Sequence, residues 1–420
     1  MVKRRTRPSL RRGPGGELAR STSWLQVVLK SLLPSHLDGR LLDIGSAEGH
    51  IARLWASKEG QATYCHYQLS VCRQAATTSG MRLQQPLDQG LPGSNCWLWA
   101  VDPGGLQIVF TDLVPAGPYA VAAFDTRDYE TAYALEMVEH IAAELDDDGW
   151  LLSVIDGGSI SPTRWEDKLR IWFGDVRVLD LPSPKARGLV FFLSRRPVRG
   201  KMSSVEYYPW QVTFRGRVYE FWGAPGVFSP KSLDPGTAFM LEHIEILPGE
   251  RLLDLGCGTG AVAVLTNKEF GIPALAIDSS ARALRLAAMN REHNLAEGVE
   301  IYPSDGWADV EAAAVFDVIA CNPPYHTDFS VARRFIEGAF EHLREGGRLY
   351  LVVKRVDWYA NRLRSLFGGC QVFTNDEGYA VLVSQRRQQG LRKKEKPAKV
   401  GTRKHQKRLE RARQRKHLRK

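Results

Sequence analysis

Nowhere in the 420 residues do eighteen apolar residues run together, which argues against a membrane-spanning helix. Cysteine is scarce: Cys65, Cys72, Cys96, Cys257, Cys321 and Cys370 are scattered, with no CxxC pair and no histidine-rich partner. That spacing supports neither a zinc site nor a disulfide framework, so no metal is expected and reduced thiols in the cytoplasm are. The N-terminus "MVKRRTRPSLRRGPGGELARSTS" lacks the apolar core and cleavage site of a signal peptide. An organellar transit peptide is the rival reading of this Arg-rich stretch. Acidic residues are nearly missing from both ends. Residues 386–420 hold 17 Lys/Arg against two Glu, and residues 1–20 hold seven against one. The net charge of +10 therefore conceals a body of −11. An acidic body with two dense basic arms reads as a folded core with flexible tails for a polyanion.

With 44% hydrophobic residues, the chain has material for two globular domains. A basic arm (1–20) precedes an α/β segment (21–195), which opens on the amphipathic "WLQVVLKSLL" and closes on the strand "GLVFFLSRR". The polar stretch 196–206 reads as a linker. A second α/β segment covers 207–386, and a basic tail without apolar periodicity covers 387–420. The second segment begins with a hairpin, "WQVTFRGRVYEFW", turning at Arg215-Gly216. Helices are expected over "AFMLEHIEIL", "SSARALRLAAMNREHNL" and "SVARRFIEGAFEHLRE", the last stopped by Gly346-Gly347. Strands are expected over "RLLDLG", "ALAID", "FDVIACN" and "RLYLVVK". Such alternation predicts a doubly wound sheet.

In "RLLDLGCGTGA" (251–261) a strand ends at Asp254 and turns through Gly256, Gly258 and Gly260. Glycines belong where a ligand lies against the backbone, since a Cβ would collide with it. Asp278, at the end of the next strand, can hold both hydroxyls of a ribose. Asp305, after a third strand, is a candidate contact for an adenine edge. The GxGxG spacing differs from the GxGxxG of dinucleotide enzymes and suggests a ligand without a pyrophosphate, for which S-adenosylmethionine is suited.

"CNPPYH" (321–326) follows the fourth strand of this segment. Successive prolines have fixed φ and no N–H, so they suit a rigid loop that aims a carbonyl. Asn322 offers a side-chain oxygen and Pro323 a backbone oxygen, which together accept both hydrogens of a planar amine. Such an amine is a poor nucleophile because its lone pair spreads into the ring. Two acceptors that favour a pyramidal nitrogen localise that pair toward an incoming methyl. Pro324 stiffens the loop, Tyr325 stacks on the ring, and His326 serves either the substrate or a structural hydrogen bond.

These residues resemble class I S-adenosylmethionine-dependent methyltransferases, specifically the ribosomal RNA guanine-N2 family typified by the small-subunit methyltransferase C. "PGVFSPKSLDPGTAFML" (225–241), "LLDLGCGTG" and "NPPYH" followed by a helix and "REGGRLYLVV" carry the likeness. The family usually has Phe where Tyr325 stands and a basic or polar residue where Pro230 stands. The resemblance implies two tandem Rossmann-like domains, the first degenerate, over residues 21–386. It implies methyl transfer to guanine N2 in ribosomal RNA or an assembling ribosomal subunit, the small subunit favoured, by a monomer. Release-factor glutamine and adenine-N6 methyltransferases also carry "NPPY", and a non-catalytic RNA-binding assembly factor is the alternative of another class.

The first segment carries a damaged copy of the glycine turn, "RLLDIGSAEGH" (40–50), with Ala47 in place of the middle glycine. A shift of 211 residues lays Asp43 on Asp254, Gly49 on Gly260 and Tyr67 on Asp278. Where its fourth strand ends stands Phe124-Asp125-Thr126-Arg127 instead of Asn-Pro-Pro-Tyr. A domain that holds RNA or steadies its twin is expected, with a nucleotide site built on Glu48 as the rival.

Overall fold

The computed structural model describes residues 39–58, 60–84, 96–179, 188–198, 205–323 and 329–387. The basic arm, the "WLQVVLKSLL" segment, the tail beyond Arg387 and Pro324, Tyr325 and His326 of the "NPPYH" motif lie outside the described residues.

Two twisted α/β sheets follow one another, with a hairpin between them. In the first, β1 (Leu41–Ile44), β2 (Ala62–His66), β4 (Leu106–Thr111), β5 (Tyr119–Asp125) and β6 (Leu145–Asp156) run parallel. Strands β3 (Cys96–Val101), β7 (Phe173–Leu179) and β8 (Leu189–Pro197) pair antiparallel at the two sides, in the order β3-β4-β2-β1-β5-β6-β8-β7. Helices α1 (His50–Ala56), α2 (Leu69–Thr78), α3 (Thr131–Glu144) and α4 (Pro162–Trp172) cover the faces.

The hairpin strands β9 (Tyr208–Phe214) and β10 (Arg217–Gly223) turn where the sequence placed the turn. Arg215 at φ 50° and Gly216 at φ 81° supply the two left-handed residues that match the twist of paired strands. Trp210 and Phe221 stack across the pair at 4.8 Å and join the core of the second sheet.

The second sheet has the order β13-β12-β11-β14-β15-β17-β16. Its strands are β11 (Leu252–Leu255), β12 (Ala274–Asp278), β13 (Val299–Pro303), β14 (Phe316–Cys321), β15 (Leu343–Val353), β16 (Gln371–Thr374) and β17 (Ala380–Gln385). Helices α5 (Pro235–His243), α6 (Ala261–Phe270), α7 (Ala281–His293), α8 (Phe329–His342) and α9 (Val356–Phe367) pack on it. All four residues of β11 are buried, as expected for a central parallel strand covered on both faces. The strand order reverses between β11 and β14, so the crevice at their carboxyl ends is where an open sheet binds ligands.

Two expected elements differ. The helix expected over "AFMLEHIEIL" ends at His243. Beyond it Ile244 and Ile246 are buried while Glu245 and Leu247 are not, an alternation that suits extended chain better than helix. The helix expected to run to Gly346-Gly347 stops at His342, and the glycines lie inside strand β15. There Gly346 N donates to Arg386 O at 2.8 Å and Arg386 N to Gly347 O at 2.9 Å, so pairing with the chain after β17 wins over helix propensity.

Candidate active site

A cleft of about 900 Å³ opens at the carboxyl ends of the second sheet. Asp254, Gly256, Gly258, Asp278, Asp305, Asn322 and Pro323 all line it, together with the 226–234 loop. Seven of the expected site residues thus share one cavity, of the size that takes a small ligand. Gly260 stands apart from the lining.

The glycine turn explains itself position by position. Gly256 and Gly258 have φ of 76° and 54°, and a Cβ built on either meets nothing within 4 Å. Their bare backbone faces open cleft. Gly260 serves packing instead: a Cβ there would stand 2.9 Å from Ala287 Cβ on α7. Asn290, fully buried on the same helix, accepts from Trp222 N at 2.7 Å and donates to Thr259 O at 2.9 Å. One amide thereby ties the hairpin to the turn.

Asp254 Oδ2 accepts from Ala263 N at 3.1 Å, which hangs the first turn of α6 on the strand end. Burial raises its pKa to about 7. Asp278 Oδ2 accepts from Gly258 N at 2.9 Å and Oδ1 from Ser280 N at 2.8 Å. Burial raises its pKa as well, while those amides pull the other way. Its carboxylate is fixed at the turn, and each oxygen retains the capacity to accept again. The bare glycine backbone stands beside this fixed acid in the same cleft. Asp305 is exposed at the rim, its N donating to Asp309 Oδ2 at 3.3 Å.

Asn322 follows β14. Its Nδ2 donates to Asp234 Oδ2 and to Thr237 Oγ1, both at 2.9 Å. Asp234 can only accept when ionised, so the nitrogen end of the amide faces α5 and Oδ1 is the opposite, accepting end. Asp234 also caps α5, accepting from Thr237 N at 2.9 Å. Sequence reasoning missed both Asp234 and Thr237. The available signal was Asp-Pro-Gly-Thr, an N-cap followed by proline in the first helical turn.

The first sheet repeats this scaffold but fills its cleft. Asp43 Oδ2 accepts from Ala52 N at 3.0 Å, as Asp254 does from Ala263, and burial raises its pKa to about 6. A Cβ on Gly45 would lie 2.9 Å from Asp125 O and 3.5 Å from the Tyr129 ring. Tyr129 in turn packs with Tyr67 at 4.9 Å, Phe124 at 5.0 Å and Tyr133 at 5.3 Å. Aromatic rings occupy the ground that is open beside Gly256. Glu48 Oε1 accepts from Gln74 Nε2 at 2.7 Å, a contact within the domain.

Strand pairing also corrects the 211-residue shift. Leu41 pairs with Ala62, whereas Leu252 pairs with Ala274, one residue further on. His66, not Tyr67, therefore holds the place of Asp278. Burial lowers its pKa to about 3, so the ring is neutral. Likewise Ile44 pairs with Phe124 and Leu255 with Cys321, which sets Asp125, not Phe124, at the place of Asn322. Asp125 is engaged by Arg127 Nε at 2.8 Å and Nη2 at 2.7 Å.

The two halves meet around a local two-fold. Leu69 N donates to Ser279 O at 2.8 Å and Ala281 N donates to Tyr67 O at 2.8 Å, the same bond made from both sides. Arg282, 1% exposed, donates to Pro225 O at 2.6 Å and bidentately to Glu136 at 2.8 and 2.5 Å. Its guanidinium lies 4.1 Å over the Tyr133 ring. Burial opposes its charge, but the bonds to Glu136 prevail and its pKa is raised. Arg285 binds Asp112 at 2.7 Å, Gly226 N donates to Glu130 Oε2 at 2.6 Å, and Arg73 pairs with Asp309.

Among the described residues no group of three His, Cys, Asp or Glu side chains can hold a metal, and no helix is long and apolar enough to cross a membrane.

The methyltransferase small domain family matches residues 218–383. Ribosomal RNA small subunit methyltransferase C of Idiomarina loihiensis is 32% identical over 205 residues, 46% of this chain and 58% of that protein. Ribosomal RNA large subunit methyltransferase G of Streptomyces avermitilis is 38% identical over 165 residues, 37% of this chain and 43% of that protein. The chain thus spans about half the length of the curated relatives it matches. A T. thermophilus 16S rRNA N2 methyltransferase solved with AdoMet and guanosine superposes with a TM-score of 0.69 at 21% identity, covering 86% of this chain and 92% of that one. That likeness is one of fold, and it extends over both sheets.

Proposed function

We propose that this protein transfers a methyl group from S-adenosylmethionine to the exocyclic N2 amine of a guanine in ribosomal RNA. The observation that carries the reading is the Asn322 amide, oriented by Asp234 and Thr237 within a cleft that also holds the glycine turn and Asp278. Gly256 and Gly258 admit the cofactor to the backbone, and Asp278 takes its ribose hydroxyls. Asp254 holds the turn to α6, and Asp305 stands at the adenine side. Bound there, S-adenosylmethionine supplies a methyl on a sulfonium, a good leaving group that needs no metal. Asn322 Oδ1 and Pro323 O accept the two N2 hydrogens and hold the nitrogen lone pair toward that methyl. Transfer of that methyl to N2 would release a neutral thioether, and the surplus N2 proton would pass to water. Pro324 and Tyr325 are the expected stiffener and stacking ring of the same loop. A paired base cannot reach the loop, so the target is flipped out or unpaired.

The first domain, on this reading, binds no cofactor and steadies the second. Its bonds to Gly226, Ser279, Ala281, Arg282 and Asp309 brace three loops at the rim of the cleft. Because the local two-fold is satisfied within one chain, a cytoplasmic monomer is proposed. The basic arms are proposed to hold ribosomal RNA or an assembling subunit, the small subunit favoured.

Incubating the protein with labelled S-adenosylmethionine and unmodified ribosomal RNA or subunits tests the proposal. Nuclease digestion followed by mass spectrometry should yield N2-methylguanosine from one position. Label in N6-methyladenosine, or only in protein, would overturn the substrate.

A further inference from the structure

Phe228 is the most exposed phenylalanine among the described residues, at 59%, and it lines the cleft. Its exposure does not come from a loose loop. The chain is pinched at the base, where a Cβ on Gly223 would fall 1.8 Å from Pro230 O. Above the pinch, Pro225 O accepts from the buried Arg282 and Gly226 N is held by Glu130, both at 2.6 Å. Gly226 presses on the first domain, since a Cβ there would stand 2.7 Å from Tyr133 Cδ1. Beyond the tip, Ser229 takes φ 49°, costly for a residue with a side chain, and its Oγ donates to Ser232 O at 2.9 Å. The loop then enters α5 through Asp234, the residue that orients Asn322.

A large aromatic left in water on a backbone fixed from both sides is preorganised for a flat partner. An extruded base has lost its stacking neighbours, and a ring on the rim restores one face. We infer that Phe228 stacks on the target purine and that the first domain, through Glu130 on Gly226 and Glu136 on Arg282, positions it. The inference rests on the proposed function and adds a second ring, on another loop, to the stacking expected of Tyr325.

Steady-state methylation of ribosomal RNA by Phe228→Ala, Phe228→Leu and Phe228→Tyr, with S-adenosylmethionine binding measured by calorimetry, tests it. Base–aromatic stacking is worth about 10- to 100-fold on truncation to alanine. Phe228→Ala and Phe228→Leu should lose that much in kcat/KM for RNA, Phe228→Tyr should stay within about threefold, and cofactor affinity should not move. Phe228 is exposed, so all three variants should melt with the parent. An unimpaired Phe228→Leu would mean that bulk, not the ring, matters, and weakened cofactor binding would make Phe228 part of the cofactor site; either overturns the inference. A wild-type protein that makes no N2-methylguanosine would instead sink the proposed function, which separates the two failures.

Discussion

Asn322 Nδ2 donates to Asp234 Oδ2 at 2.9 Å, and that same oxygen caps helix α5 through Thr237 N. A helix terminus and the orientation of a cleft-lining amide therefore depend on one carboxylate. The two roles can be separated. Asp234→Asn keeps an acceptor and a good cap, so kcat should fall only severalfold. Asp234→Ala loses the cap, about 1 kcal/mol, and takes from the amide the charged one of its two acceptors on α5, so kcat should fall about 100-fold with cofactor affinity unchanged. Stopped-turnover assays beside thermal melts decide the matter. A rate loss no larger than the loss of folded protein would reduce Asp234 to a cap.

Tyr129 sits against Gly45, whereas Gly256 and Gly258 face open space. Calorimetric titration of the full chain should therefore give one S-adenosylmethionine per protein. Asp278→Ala should weaken it about 10- to 100-fold, the worth of hydrogen bonds to a charged group. Two sites per chain, or a site surviving Asp278→Ala at full strength, would contradict the assignment of the cleft.

Burial raises the Asp254 pKa from 3.8 to about 7. Between those pH values the folded chain binds this proton more tightly than the unfolded one, so stability falls as pH rises across that window and levels above it. Asp254→Asn, which retains an acceptor for Ala263 N, should raise the melting temperature by several degrees at pH 8 and leave it nearly unchanged at pH 4. An equal effect at both pH values would refute the shifted titration.

Arg282 compensates Glu136 and, at 3.8 Å, the fully buried Asp112. Arg282→Met leaves buried carboxylate charge without this partner and should cost about 3–5 kcal/mol. Denaturant unfolding should show it, with loosening of the 225–226 backbone visible as faster amide exchange. A neutral substitution would mean that the halves are held by their apolar contacts alone.

Much of this was legible in the sequence, for identifiable reasons. Arg215-Gly216 between alternating runs specifies its hairpin locally, and the fully buried β11 announces itself as an apolar run before the glycines. The acid that ends β12 follows from the order of strands. The failures are those of distance. The one-residue difference between the β1–β2 and β11–β12 connections moves His66 into the place given to Tyr67, and no constant shift can reveal it. Asp234 lies 88 residues from Asn322, so its cap was readable but its second bond was not. Tyr129 precedes α3 and Tyr133 lies in its first turn, and only packing brings them against Gly45 and Arg282.

The central claim is that the Asn322 amide, with the oxygen of the next residue, receives the substrate amine beside the bound cofactor. Single-turnover methyl transfer to ribosomal RNA by Asn322→Ala, with the cofactor saturating, tests it most directly. The account predicts a fall of about 100- to 1,000-fold in the transfer rate, with S-adenosylmethionine and RNA binding close to the parent's. Transfer at the parent's rate would contradict it.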